Sequence, residues 1–156
     1  MVIVKTEILI DVPVETCFDL ARDMTLHTQT VWKHTKEQAV RGTVEGKIDQ
    51  GEIVTFQATH FLIRQELTSK VTDYQKPHYF ADVMVKGAFK SLRHEHAFVD
   101  IQGKTLMKDT LIFEAPFGFI GWITERLVLK RYMRSFLEHR NRQLKKYAEN
   151  QVGMFG

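Results

Sequence analysis

Residues 119–150 read FIGWITERLVLKRYMRSFLEHRNRQLKKYAEN, and this stretch decides the fold. Trp122, Ile123, Leu127, Leu129, Met133, Phe136, Leu137, Leu144 and Ala148 recur at three- and four-residue spacing. That period predicts one long amphipathic helix with those side chains on a single face. A helix of about 30 residues is about 45 Å long, more than one ordinary strand needs as cover. Laid across a curved antiparallel sheet, such a rod leaves a gap between the two layers. That gap is the expected seat of function.

The segments upstream supply the sheet. Val2–Ile10 is β-branched and partly alternating, so it reads as a strand, and Asp11-Val12-Pro13 stops it. Pro13–Ala21 reads as a short helix with Val14, Cys17, Phe18 and Ala21 on one side. Asp23 and Thr25 are candidate caps for a second short helix running to about Trp32. A strand is expected near Lys36–Arg41, followed by a loop with Gly42 and Gly46. Four further strands are expected over Glu52–His60, Leu62–Tyr74, His78–Lys86 and Lys90–Ile101, and Gln102-Gly103 turns the chain tightly into Lys104–Glu114. Pro116 and Gly118 break the pattern before the long helix. Strands in succession with short turns imply an antiparallel meander. Helices segregated to the two ends of the order imply an α+β fold with six to seven strands.

Length and composition fit one soluble domain spanning 1–156. Cys17 is the sole cysteine, so no internal disulfide forms, and a reducing, cytoplasmic location is expected. No stretch approaches the ~20 apolar residues needed to cross a bilayer, and Lys5 and Glu7 interrupt the apolar start. The net charge of +3 is uneven: residues 122–150 hold eight Lys/Arg against three acids, leaving the rest of the chain at −2. That bias reads as a solvated basic helix face, with Arg134, Arg140 and Lys145 as its representatives. A phosphate loop, a His-Glu-x-x-His helix, a Gly-x-Ser-x-Gly elbow and a Cys-x-x-Cys pair are all missing from the sequence. Phosphate cofactors, zincin chemistry and serine hydrolysis therefore have no motif support.

Three stretches carry a family resemblance. Residues 11–18 (DVPVETCF) look like a first strand-to-helix corner, and 85–98 (VKGAFKSLRHEHAF) like paired central strands. Residues 105–111 (TLMKDTL) with 115–118 (APFG) look like a last strand and its exit into a gripping helix. Together they resemble the helix-grip fold of the START, Bet v 1 and polyketide-cyclase-like superfamily, most closely its bacterial stand-alone cyclase/dehydrase-like branch. Ala88 stands where that branch often has proline, and Leu92 where an aromatic is common. The resemblance implies a cavity for an apolar small molecule between sheet and helix, without naming a reaction.

His94 and His96 lie two apart on a strand, hence on one face, flanked there by Leu92 and Phe98. They are read as polar groups for the tip of a hydrophobic ligand; as a metal pair they would need His60 or Asp82 as third ligand, and no metal or cofactor is expected. Asp82 shares a face with Phe80 and Met84, and either face of that strand is a candidate interior. An enclosed Asp82 needs a partner, with Arg64, His94 and His96 the candidates. Asp82, His94 and His96 are thus the candidate catalytic residues of an enzyme reading. Phe56 and His60 on one strand, together with Met133 and the junction aromatic Trp122, complete the expected ligand-binding set.

The sequence reads first as a binding module for a lipid-like or aromatic metabolite, acting as a monomer or homodimer, with neither integral membrane association nor nucleic acid expected. A cyclase or dehydratase is the second reading. An interaction protein using the basic helix is the third.

Overall fold

The computed structural model describes residues 1–155; Gly156, the last residue of the expected single domain, lies outside them. The chain runs β1 (Val2–Ile10), α1 (Val14–Ala21), α2 (Met24–Thr30), a 3-10 turn at Lys33–Thr35, then β2 (Gln38–Gly42), β3 (Ile53–His60), β4 (Ile63–Gln75), β5 (Tyr79–Lys86), β6 (Ser91–Ile101) and β7 (Lys104–Glu114). It ends in α3 (Gly118–Thr124), a π-helical turn (Glu125–Leu129) and α4 (Lys130–Phe155). Seven antiparallel strands form one sheet in the order β1-β7-β6-β5-β4-β3-β2. This is the helix-grip architecture that the sequence order implied.

Local chemistry sets the corners. Pro13 caps α1 in extended geometry (φ −60°, ψ 152°), a conformation its ring favours. The Asp23 carboxylate accepts the amides of Thr25 and Leu26 at the start of α2. Gln102 and Gly103 both take positive φ (54° and 88°), the two-residue hairpin geometry whose twist matches the flanking strands.

The core falls into three clusters. Leu144 and Ala148 of α4 pack with Phe18, Phe98 and Met107, while Leu137 packs with Val4, Leu111 and Phe113. The third cluster (Met24, Ile48, Val54, Phe56 and Val71) gathers under β2–β4 without α4. α4 lies over β1 and beside α1 and α2, and α1 in turn meets β6 and β7. Burial pushes the Cys17 thiol up to about 12, and it sits inert in the first cluster.

The terminal helix departs from the expected single face. Trp122 (49% exposed), Ile123 (36%) and Leu127 (67%) point outward. Gly121 and Glu125 take the inward positions instead, in line with Met133 and Leu137 further on. The π-helical turn is the reason: its wider turn slips the helical phase by about one residue, so the periodicity of 122–127 does not continue that of 133–148. Nor is the basic face uniformly solvated. Arg140 is 3% exposed, the Arg134 guanidinium donates to the Lys5 carbonyl (3.0 Å), and Lys145 donates to the Leu9 carbonyl and Glu149.

Gly121 is fixed by this phase. A Cβ built there would lie 1.8 Å from the Pro116 carbonyl oxygen. In an ordinary exposed helix Gly→Ala stabilises by up to about 1 kcal/mol. Here Gly121→Ala is expected to destabilise by more than about 1 kcal/mol, because backbone must move to admit the methyl. Urea unfolding checks this, and an unchanged or raised midpoint would count against the corner as described.

Candidate functional site

The concave side of the sheet and the inner side of α4 enclose a cavity of about 480 Å³. Phe56 and His60 of β3, Phe80 and Asp82 of β5, and Leu92, His94 and His96 of β6 all line it, with Met133 of α4 opposite. The even-numbered face of β5 is therefore the interior one. Three expected members lie elsewhere. Met84 is half-buried against the Val4 and Phe113 cluster, and Phe98 is 2% exposed beside Phe18 and Phe80. Trp122 is outward, stacked on Phe119 with the Arg126 guanidinium 4.3 Å over its ring.

Strand register assembles a polar cluster in this apolar setting. Asp82 pairs with His94 across β5 and β6, and His96 with Asp109 across β6 and β7. The side chains bond on the diagonals, within reach of long side chains on one face. His96 Nε2 lies 3.0 Å from Asp82 Oδ2, and His94 Nε2 lies 2.8 Å from Asp109 Oδ1. The two imidazoles are 3.8 Å apart by centroid, and His96 stacks on Phe80 at 4.2 Å. The Asp82 and His94 side chains keep 25% and 15% exposure, whereas those of His96 (4%) and Asp109 (0%) are shut behind them. Arg64, a candidate partner for Asp82, instead donates to the carbonyls of Thr35 and Lys36.

The sequence reading placed Arg140 on a solvated basic face, whereas it is buried here, and did not single out Asp109 or Asn141 for the site. Asn141 Nδ2 donates to Asp109 Oδ2 (2.8 Å), and Arg140 Nη1 lies 3.9 Å from Asp109 Oδ1 while Nη2 donates to the Ala21 carbonyl. A signal for Asp109 was present: it interrupts the apolar face formed by Met107, Leu111 and Phe113. Arg140 and Asn141 also fall between Leu137 and Leu144 on the inward stripe. At the other end of the cavity His60 Nδ1 is 2.6 Å from the Tyr132 hydroxyl. Tyr132 and Phe136 in turn meet the Trp32 ring edge-on, at 5.3 and 5.4 Å.

The environment splits the two histidines. Burial, and then the neighbouring His96 charge, hold His94 below the ordinary imidazole value despite Asp109. For His96 burial acts in the same direction, but the Asp109 carboxylate, 3.1 Å from its Nδ1, and the bonded Asp82 outweigh it and raise the group. Burial would lift both carboxylates; the imidazoles reverse this, lowering Asp82 and holding Asp109 well below the usual range. Two basic groups, His96 and Arg140, thus stand against the two carboxylates. An ionised Asp109 only accepts hydrogen bonds, so His94 carries its proton on Nε2 and leaves Nδ1 as a base. The donor atoms of Asp82, His94 and His96 lie within 4.8 Å of one another, a spacing that would admit a cation. All three residues are already engaged, His96 Nε2 with Asp82 and His94 Nε2 with Asp109.

The family described as polyketide cyclase/dehydrase and lipid transport matches residues 1–149. Curated proteins give no match. Among solved structures, the protein TTHA0849 from Thermus thermophilus is similar with a TM-score of 0.74 and 15% identity, covering 96% of this chain and 99% of that one. A START superfamily protein from Mycobacterium smegmatis gives 0.72 and 15% (96% and 98% covered). The Zhui aromatase/cyclase from Streptomyces sp. R1128 gives 0.67 and 13% (97% and 95% covered). At these identities the likeness is one of fold.

The opposed shifts give a test. His96 is expected to titrate above pH 6.5 and His94 below it, read from the imidazole resonances by NMR. The raised His96 contributes stability that is whole below 6.5 and lost as pH climbs through its folded value. The lowered His94 works the other way, costing stability as pH falls below 6.5. Asp109→Asn should cost roughly 3–5 kcal/mol, as for one partner removed from a buried pair, and should bring His96 down. Two histidines titrating together near 6.5, unmoved by Asp109→Asn, would refute this arrangement.

Proposed function

The chain belongs to the polyketide cyclase/dehydrase and lipid transport family, within the START/Bet v 1 superfamily, and on that footing we propose that it binds a hydrophobic small molecule with one polar end. The observation that carries this reading is the cavity itself. Its volume of about 480 Å³ suits a small organic guest. Phe56, Phe80, Leu92 and Met133 offer an apolar bed, while Asp82 and His94 offer a polar tip. A guest of about 20 heavy atoms gains on the order of 6 kcal/mol, placing its Kd in the tens of micromolar. Its hydroxyl or carbonyl would meet Asp82 and His94, the cluster members still exposed to the cavity.

The opposed titrations favour a second reading, a cyclase or dehydratase. A lowered His94 beside a raised His96 sets a base next to an acid. In the dehydration of a β-hydroxy ketone, His94 Nδ1 would take the proton next to the carbonyl. The leaving hydroxyl would take a proton from His96 by way of Asp82 and depart as water.

The binding reading is tested with N-phenyl-1-naphthylamine, whose emission rises and shifts to the blue in an apolar enclosure. Saturable binding in the tens of micromolar is expected. Ala58→Phe, at a buried cavity-lining position, should weaken it at least about tenfold while the circular dichroism stays that of the parent. A probe that shows no saturable signal, or that ignores the plug, would refute the reading. For the enzyme reading, Asp82→Asn and His96→Gln should each lower turnover by about a hundredfold or more; full turnover in both would remove it.

A further inference from the structure

The mouth of the cavity is ringed by bulky apolar side chains left in solvent. Two elements build the ring. The β3–β4 hairpin ends in Phe61, Leu62 and Ile63, exposed by 52, 98 and 63%. Across the mouth, the strand-to-helix corner exposes Phe117 (83%), Phe119 (72%), Ile120 (72%) and Leu127 (67%). Phe61, Ile63 and Phe117 also line the cavity, and the Phe61 ring meets that of Tyr132 of α4 at 4.5 Å, tilted by 36°, so ring and cavity are continuous. A helical segment with apolar groups on its solvent side contributes nothing to a core and marks an interaction surface.

Backbone conformation makes the same point. Phe61, Leu62 and Phe117 all adopt left-handed φ (51°, 66° and 71°). The hairpin geometry at Phe61-Leu62 favours Asn-Gly, and at all three bulky residues a left-handed backbone is strained. Three large apolar residues in strained backbone, all exposed, serve folding badly. Their use lies outside the fold.

Charge selects the partner. Arg126, Lys130 and Arg131 are exposed on the turns beside the ring. The one acid of the 115–131 segment, Glu125, is 1% exposed and engaged by the Ala115 amide and Arg126. Apolar groups flanked by cations match an interface in which hydrocarbon lies beneath a negative headgroup layer.

We propose that the cavity mouth docks on the surface of an anionic lipid bilayer, with Phe61–Ile63 and the 117–127 corner entering the interface and Arg126, Lys130 and Arg131 held at the headgroups. Docked in this way, the opening faces the acyl region, and an apolar guest passes between bilayer and cavity without crossing water. The docking rests on the surface groups alone and does not require the cavity reading to hold.

Flotation with phosphatidylcholine vesicles, with and without phosphatidylglycerol, tests it. At low salt the protein should float with the mixed vesicles and bind neutral ones on the order of a hundredfold more weakly, as expected for three near-surface cations. Leu62→Asp with Ile120→Asp, both at exposed positions, should weaken flotation at least about tenfold while the melting temperature holds. Arg126→Glu with Lys130→Glu and Arg131→Glu should abolish the preference for anionic lipid. Ala58→Phe, which plugs the cavity, should still float, so the two readings fail separately. Failure of the parent protein to float with either vesicle, or flotation unchanged in the Leu62 and Ile120 double variant, would overturn the proposal. A homodimer dispersed by that double variant would assign the ring to a second copy and overturn it equally.

Discussion

Everything in this molecule depends on the antiparallel pairing of the first strand with the last. β1 and β7 run in unbroken register from Val2↔Phe113 to Ile10↔Thr105, joining the first strand of the chain to the last. That pairing puts α1 at one end of the two strands and the exit toward α4 at the other, and α4 runs back until Leu144 and Ala148 reach Phe18 of α1. α4 therefore settles over β1, where Leu137, Leu144 and Ala148 find buried partners. Toward the other side of the sheet α4 reaches with long side chains, Tyr132 and Phe136 meeting His60 of β3. A short helix would have collapsed into the core; a long one seated along one edge holds the layers apart.

Into the gap the sheet delivers a cluster that no apolar core would choose. Asp109 is wholly buried among Met107, Leu111 and Phe113, yet it engages two histidines from β6 and an asparagine from α4. Such a group costs several kcal/mol to bury, and that is offset only when each neighbour is in place. Stability alone gives little reason to keep it, since apolar residues of similar size would serve as well. What it supplies is order: Asp109 fixes the proton on His94, raises the His96 imidazole, and ties sheet to helix at the cavity wall. Asp82 and His94 then meet whatever enters, with their chemistry already set.

Much of this was legible in the sequence, for identifiable reasons. Element order follows from period and punctuation, so Pro13, Asp23, Gln102-Gly103 and Pro116 placed the corners closely. His94 and His96 share a face by strand geometry alone. The face of β5 was not legible, because Phe80 and Asp82 on one side and Ala81 and Val83 on the other are equally plausible interiors; only pairing with β6 resolves it. The outward turn of Trp122 and Leu127 was hidden too. A π-helical turn leaves no compositional mark, yet one residue of slip exchanges Trp122 for Gly121. Arg140 illustrates a different limit: its charge argued for solvent, while its place between Leu137 and Leu144 argued for burial, and position prevailed.

The chain holds two tryptophans, and the fold has put them in unlike surroundings. Trp32 rests against Tyr132 and Phe136, side chains that form part of the cavity wall. Trp122 stands in solvent under Arg126, on the rim. The protein thus carries two native fluorophores, one next to the interior and one on the outer lip. Quenching by aqueous iodide reaches the second far more readily than the first, so filling of the interior and coverage of the lip become optically separable in the unlabelled molecule.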